Sequence, residues 1–282
     1  MSTGVGGGWG AKMLTIKHDL RTDIMCHERN GVTIRHLADL HLGSPNCDVD
    51  LVETLIQENV SNHWHTFLVG DIFDVGLKNS KSDVYTQTDT LSGCFETAVE
   101  LLQPLADSGL ILGVVQGNHE NRLTKETGLD LTLQLCHRLG VADRYNPNSV
   151  LAFIQVGKQG TSTRRNSGYN WAFNYCCHIT HGNGGGTTYG ARSNSLVKAR
   201  QKLDADVYLQ GHVHHSAVQT GSMLRVNRQA GTVKEAEQLF VCCGSCLTYD
   251  NSYGEAMNLP PSDNRYPKIY LHGDKQLAEA TV

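Results

Sequence analysis

The chain has 282 residues, 39% of them hydrophobic and 18% charged, with a net charge of −4. That length can bury a sizeable core, and the negative balance gives no global attraction for nucleic acid or an anionic membrane, although local basic patches stay open. No apolar run approaches the roughly 20 residues needed to cross a bilayer, so no membrane partner is expected.

Residues 1–12 are Gly-rich and lack the basic and then apolar blocks of a secretory signal. They are expected to be disordered, ahead of a single domain over 13–282. Val32–Leu37 reads as a strand, followed by Val52, Leu55, Ile56 and Val60 at helical spacing, with Asp48 or Asp50 as cap. Phe67–Val69 is a short buried strand. Leu91, Phe95, Ala98, Val99 and Leu102 make an amphipathic helix that should stop near Pro104. Leu110–Val115 is the next strand, and Leu131, Leu135 and Leu139 share a helical stripe. Val150–Val156, Ala172–Thr180, Val207–Gln210 and Leu239–Cys243 read as further strands, with a helical stretch over about Ser193–Leu203. Residues 249–267 read as an ordered irregular tail, whose Tyr249, Tyr253 and Tyr266 are expected to pack it. Alternating strands and helices predict an α/β layered fold with a mixed sheet, or two sheets packed face to face with helices outside.

Four of the nine cysteines form the adjacent pairs Cys176-Cys177 and Cys242-Cys243. Neighbours in a strand point to opposite faces, so such pairs are badly placed to bridge themselves. A reduced, cytoplasmic chain with small buried thiols is the expectation. Cys243-Gly-Ser-Cys246 has redox or zinc spacing, but no second pair or helix start completes it.

Five short segments carry the chemistry. Asp39-Leu40-His41, Gly70-Asp71-Ile72-Phe73-Asp74, Gly117-Asn118-His119-Glu120, His181-Gly182-Asn183 and Gly211-His212-Val213-His214 each follow an apolar run. Singly, each reads as well as a turn or a helix cap. Together, they bring carboxylates, an amide and imidazoles to strand ends, where α/β sheets collect ligands. The donor types suit two divalent ions, with manganese expected ahead of iron or zinc. Asp71 has two oxygens with which to hold a pair of ions about 3.5–4 Å apart. Such a pair neutralises phosphate charge and yields hydroxide near neutral pH, so the expected reaction is phosphoester hydrolysis by metal-activated hydroxide.

In order and spacing, these segments resemble the calcineurin-like metallophosphoesterase superfamily over about residues 32–215. The arrangement, with its Gly-rich stretch, is also similar to phage- and prophage-encoded members. The resemblance implies a two-layer mixed β-sandwich flanked by helices. It implies that Asp39, His41 and His214 hold one ion, that Asn118, His181 and His212 hold the other, and that Asp71 serves both. His119 would face the phosphate as general acid or transition-state stabiliser, oriented by Asp74. Arg122 would meet a phosphate oxygen.

The Ser/Thr phosphatases of that superfamily carry arginine after the second aspartate of the Asp71–Asp74 motif, where this chain has Val75-Gly76. The Asp39–Gly43 and Gly70–Asp74 segments are closer to the DNA-repair exonuclease and lipid-precursor pyrophosphatase branches, without the large accessory domains of the repair nucleases.

The expected substrate is therefore a phosphodiester, nucleic acid among the candidates, with a phosphomonoester (a phosphoprotein included) or a non-catalytic metal-binding module as alternatives. Lys158, Arg164 and Arg165, with Arg192, Lys198, Arg200 and Lys202, are the basic residues able to follow a nucleic-acid backbone; a solvated loop and helix face explain them equally well. Gly182–Gly186 follows a strand and precedes a helix, but the next strand ends Gln210-Gly211-His212 without the acidic residue that holds a ribose, which excludes a dinucleotide site.

Overall fold

The computed structural model describes residues 19–23, 31–77, 85, 87–158, 171–184, 186 and 188–282, with backbone alone at 19–23, 157, 158, 171, 172, 189 and 253. The Gly-rich residues 1–12, Gly185, Arg164, Arg165 and the side chains of Lys158 and Tyr253 lie outside the described parts.

The near-continuous apolar runs become the central strands. β2 (Val32–Leu37), β3 (His65–Val69), β4 (Ile111–Val115) and the short β5 (Tyr145–Asn146) run parallel. β11 (Lys268–Leu271) and β12 (Ala278–Thr281) extend this sheet antiparallel, in the order β12-β11-β2-β3-β4-β5. The second sheet has the order β1-β6-β7-β8-β10-β9. It is built from β1 (Asp19–Asp23), β6 (Val150–Lys158), β7 (Trp171–Thr180), β8 (Val207–Gln210), β9 (Ala217–Asn227) and β10 (Thr232–Cys242). Here β7, β8 and β10 are parallel, while β6 and β9 run against β7 and β10. Both sheets are mixed, as expected.

A period of two assigns the faces. Val207, Leu209, Leu239 and Val241 enter the core shared with Ile34, Phe67 and Val114 of the other sheet. Tyr208, Phe240 and Cys242 point the other way and pack under Leu196 of α5 (Tyr189–Lys198). The Tyr208 and Phe240 rings stack there at 4.7 Å. The same alternation separates Cys242 from Cys243, and every described cysteine is a free thiol.

Helices α1 (Val49–Ser61), α2 (Leu91–Asp107), α3 (Asn118–Thr127) and α4 (Leu131–Arg138) belong to the first half, and a short α6 (Tyr253–Ala256) lies in the tail. Asp48 caps α1 by accepting from Leu51 N–H at 3.0 Å. Contrary to expectation, α2 continues through Pro104 for three more residues. The proline removes only a bond to the exposed Glu100, while Leu105 beyond it is fully buried and holds the last turn down. In the tail, Tyr266 is buried and its hydroxyl donates to Ala38 O at 2.9 Å.

Candidate active site

Five parallel strands, β2, β3 and β4 in one sheet and β7 and β8 in the other, end along one rim, and each segment singled out in the sequence leaves from one of those ends. Turning sharply out of a buried strand requires unusual backbone. Asp39 (φ 55°), His41 (54°), Asp71 (48°), His212 (71°) and His214 (49°) are all left-handed. Asp and His visit this region more readily than most residues, yet each position costs on the order of 1 kcal/mol. Only three other non-glycine residues among those described share that conformation, so the strain is concentrated at the rim.

Packing cross-links the turns. Asp39 N–H donates to Gly70 O at 3.1 Å, His41 N–H to Asp71 O at 3.0 Å and Gly211 N–H to His181 O at 3.2 Å. Gly70 and Gly117 face each other so closely that a Cβ on Gly70 would stand 2.6 Å from Gly117; only paired glycines let the β3 and β4 turns meet. Between the sheets, buried His36 Nε2 donates to Gln210 O at 3.1 Å.

The carboxylates thus collected are almost wholly buried, with Asp39 and Glu120 at 0% exposure and Asp71 at 1%, while His119, His212 and His214 are half-buried. Three sets of carboxylate and imidazole atoms lie close enough to share a cation: Asp39 with His41 and His214; His41 with Asp74 and His119; Asp71 with His181 and His212. In the first, His214 Nε2 is 3.2 Å from His41 Nε2 and 3.3 Å from Asp39 Oδ1. In the third, His181 Nε2 is 3.2 Å from Asp71 Oδ2 and 3.1 Å from Asn118 Oδ1. Asp71 Oδ1 accepts the backbone N–H of His119 at 2.9 Å. His181 Nδ1 donates to Val69 O at 2.7 Å, which aims Nε2 inward.

The electrostatics are those of a cation site. Burial disfavours charge on Asp39 and Asp71, but the histidines beside them, His214 and His181 foremost, hold both carboxyls below the ordinary carboxylate range, Asp71 well below. Burial likewise opposes charge on His181, and Asp71 overcomes it, pushing that imidazole up to about 10. A proton at His181 does there what a metal ion does better, since metal binding displaces such protons. His212 is pushed the other way, by burial and then by His181, towards the neutral form that ligates metals. Asp39 Oδ1 is buried with no well-aligned hydrogen bond, although His214 Nε2 stands 3.3 Å from it. A buried carboxylate oxygen so weakly bonded is costly unless a cation, a proton on the adjacent imidazole or a metal ion, completes it. The residues present therefore fit divalent metal.

A family profile described as calcineurin-like phosphoesterase matches residues 32–216. The chain belongs to the calcineurin-like phosphoesterase family. This phosphoesterase is thus an enzyme that hydrolyses phosphoesters, and its Asp and His clusters fit a metal-dependent reaction. Three solved structures are similar to it at low identity. A conserved uncharacterized protein, a predicted phosphoesterase from Streptococcus pneumoniae TIGR4, has 16% identity and a TM-score of 0.33, covering 89% of this chain and 97% of that one. A single mutant of Vps29 from Entamoeba histolytica has 13% identity and a TM-score of 0.40, covering 89% and 98%. GAP50, the anchor in the inner membrane complex of Plasmodium, has 10% identity and a TM-score of 0.44, covering 89% and 88%. No curated protein matches the phosphoesterase.

Among the remaining expected site residues, Asp74 Oδ1 lies 2.9 Å from His119 Nδ1 and 3.5 Å from His41 Nδ1. Both are close approaches without a well-aligned hydrogen bond at either ring nitrogen. Burial works against the Asp74 charge, but His119 and His41 more than offset it and hold its carboxyl far below the usual range. Arg122 is half-buried one turn into α3, and its Nε lacks a hydrogen-bond partner among the described residues.

Two residues of the phosphoesterase site escaped sequence reasoning. Glu120 accepts backbone N–H groups from Asp71, Phe73 and Gly117. Its signal was a glutamate three residues after the helix-capping Gly117, the spacing of a capping box. Gln87 donates to Asp74 Oδ2 at 3.0 Å, and nothing in the local sequence announces it.

Proposed function

We propose that the chain hydrolyses phosphodiesters with a pair of divalent cations, manganese first among them and iron or zinc next. Asp39, His41 and His214 would hold one ion, and Asn118, His181 and His212 the other. Asp71 would touch both, and its charge acts on both Asp39 and His41. The observation that carries this reading is the buried carboxylate of Asp39 beside the imidazoles of His41 and His214, matched by a second carboxylate–imidazole set around Asp71. Such ions, when bound, supply Lewis acidity to a phosphoryl oxygen and lower the pKa of coordinated water.

The chain's own residues do the rest. His119 Nε2 faces the cluster, 3.8 Å from Asp71 Oδ2, while its Nδ1 turns to Asp74. An imidazole so held suits proton delivery to a leaving-group oxygen. Arg122 would receive a non-bridging phosphate oxygen. A cavity of about 650 Å³, lined by His215, Asp263 and Arg265, adjoins the His214 turn, where Asp263 N–H donates to His214 O at 3.1 Å. It supports room for a second substituent on phosphorus.

Val75-Gly76, standing where protein phosphatases have arginine, favours diesters over phosphoproteins. The same motifs favour the exonuclease-like branch and a phage-type member, acting as one domain over 13–282, with nucleic acid as the first substrate to try. The deciding experiment compares bis(4-nitrophenyl) phosphate with 4-nitrophenyl phosphate on manganese-loaded protein. Faster diester turnover is expected. A faster monoester would reverse the preference, and metal binding without hydrolysis of either would favour a binding module.

A further inference from the structure

We infer that Gln87 is a positioning residue for proton transfer: it sets the carboxylate of Asp74 so that Asp74 can hold His119. The inference rests on the proposed role of His119 and goes beyond it, because Gln87 belongs to none of the five motifs.

The Gln87 side chain is half-buried, and its Nε2 donates to Asp74 Oδ2 at 3.0 Å. The other oxygen of that carboxylate, Oδ1, stands between two imidazoles, 2.9 Å from His119 Nδ1 and 3.5 Å from His41 Nδ1. A carboxylate free to turn about its terminal torsion has a broad, roughly two-fold profile and would not choose between them. An amide donor on Oδ2 narrows that profile. It also adds no charge, so Asp74 remains the one anion on the Nδ1 side of the two rings among the described residues.

The surroundings of Gln87 are built to hold it. A Cβ on Gly43 would sit 3.0 Å from Gln87 Oε1, and one on Gly76 would sit 3.2 Å from its amide nitrogen. The side chain is therefore clasped between two glycines, one closing the Asp39 segment and one just beyond the Asp71 segment. Next to it, Thr88 N–H donates to Gly43 O at 3.0 Å, and Thr90 caps α2 by accepting from Gly93 N–H at 3.1 Å. Backbone pairing on one side and a helix start on the other leave the amide little room to wander.

The test separates positioning from folding by its dependence on the leaving group. Proton delivery matters little for a 4-nitrophenolate, which departs unaided, and greatly for an alkoxide. Gln87→Met keeps length and packing but cannot donate; Gln87→Glu keeps length and faces Asp74 with a second carboxylate. Both are assayed with manganese on phosphoesters of graded leaving-group pKa, alongside thermal melting and metal content. We expect kcat to fall less than about threefold on nitrophenyl esters and about tenfold or more on alkyl esters, with KM and metal content unchanged. A loss of equal size across the whole series, or no loss, overturns the role. If Gln87→Met does not fold, the Gln87→Glu series decides by the same criterion. Failure of the wild-type protein to hydrolyse any phosphoester would instead refute the proposed function.

Discussion

Fully buried Glu120 accepts the backbone N–H of Asp71 at 3.2 Å. The same carboxylate takes the N–H groups of Phe73 and Gly117, so one side chain ties the turn after β3 to the turn after β4. Burial and the adjacent Asp71 charge push its carboxyl up to about 7, against the pull of those backbone donors.

Replacing Glu120 by alanine would strand three buried N–H groups. Each costs about 1–3 kcal/mol when left without an acceptor, so Glu120→Ala should lose roughly 3 kcal/mol or more of stability. Urea denaturation of the metal-free protein measures it. A loss below about 1 kcal/mol would show that the turn finds other acceptors.

His36 should make the fold acid-sensitive. Burial lowers its pKa from 6.5 to about 4, against the pull of its bond to Gln210 O. Its Nδ1 is buried with no partner to receive a second proton. Below pH 6.5 the unfolded chain takes up a proton that the folded chain refuses. The stabilisation is therefore complete above 6.5 and drains away as pH falls through 4, by roughly 3 kcal/mol. His36→Gln keeps a donor towards Gln210 and should remove that part of the slope. Parallel slopes for both proteins between pH 7 and 4 would refute the assignment.

Asp71→Asn should cost both metal and hydrolysis, because the amide removes the one anionic donor from the set that Asp71 makes with His181 and His212, while leaving those two imidazoles in place. Elemental analysis after manganese loading, with calorimetric titration, checks it. Wild-type stoichiometry in the variant would remove Asp71 from the ligand set.

His119→Ala should keep its metal and lose about 10²–10⁴-fold in turnover on an alkyl phosphoester, the range for a positioned acid or base. Its backbone N–H still reaches Asp71 Oδ1, so the cluster has no reason to collapse. Full activity would contradict the role given to it.

Much of the fold was legible because buried parallel strands announce themselves as apolar runs. β2 and β8 begin and end where the sequence places them, and Asp48 caps α1 as expected. Strands with little such contrast were missed: β9, with exposed Leu224 and Val226 and an internal Gly221, alternates too weakly to read. Pro104 misled because a proline near the end of a helix forfeits one solvent-side bond, while the burial of Leu105 decides where the helix stops.

By itself, the sequence determined which donors stand at strand ends and in what order, because a polar residue after an apolar run is a local pattern. Only the tertiary structure decided that β7 and β8 of one sheet open onto the same rim as β2, β3 and β4 of the other. It alone brought Gln87 onto Asp74 and Glu120 beneath Asp71. A strand's alternation marks two faces but not which sheet lies against each. That choice is made by burial across the whole chain, and the strained turns at Asp39, His41, Asp71, His212 and His214 persist because that packing holds them.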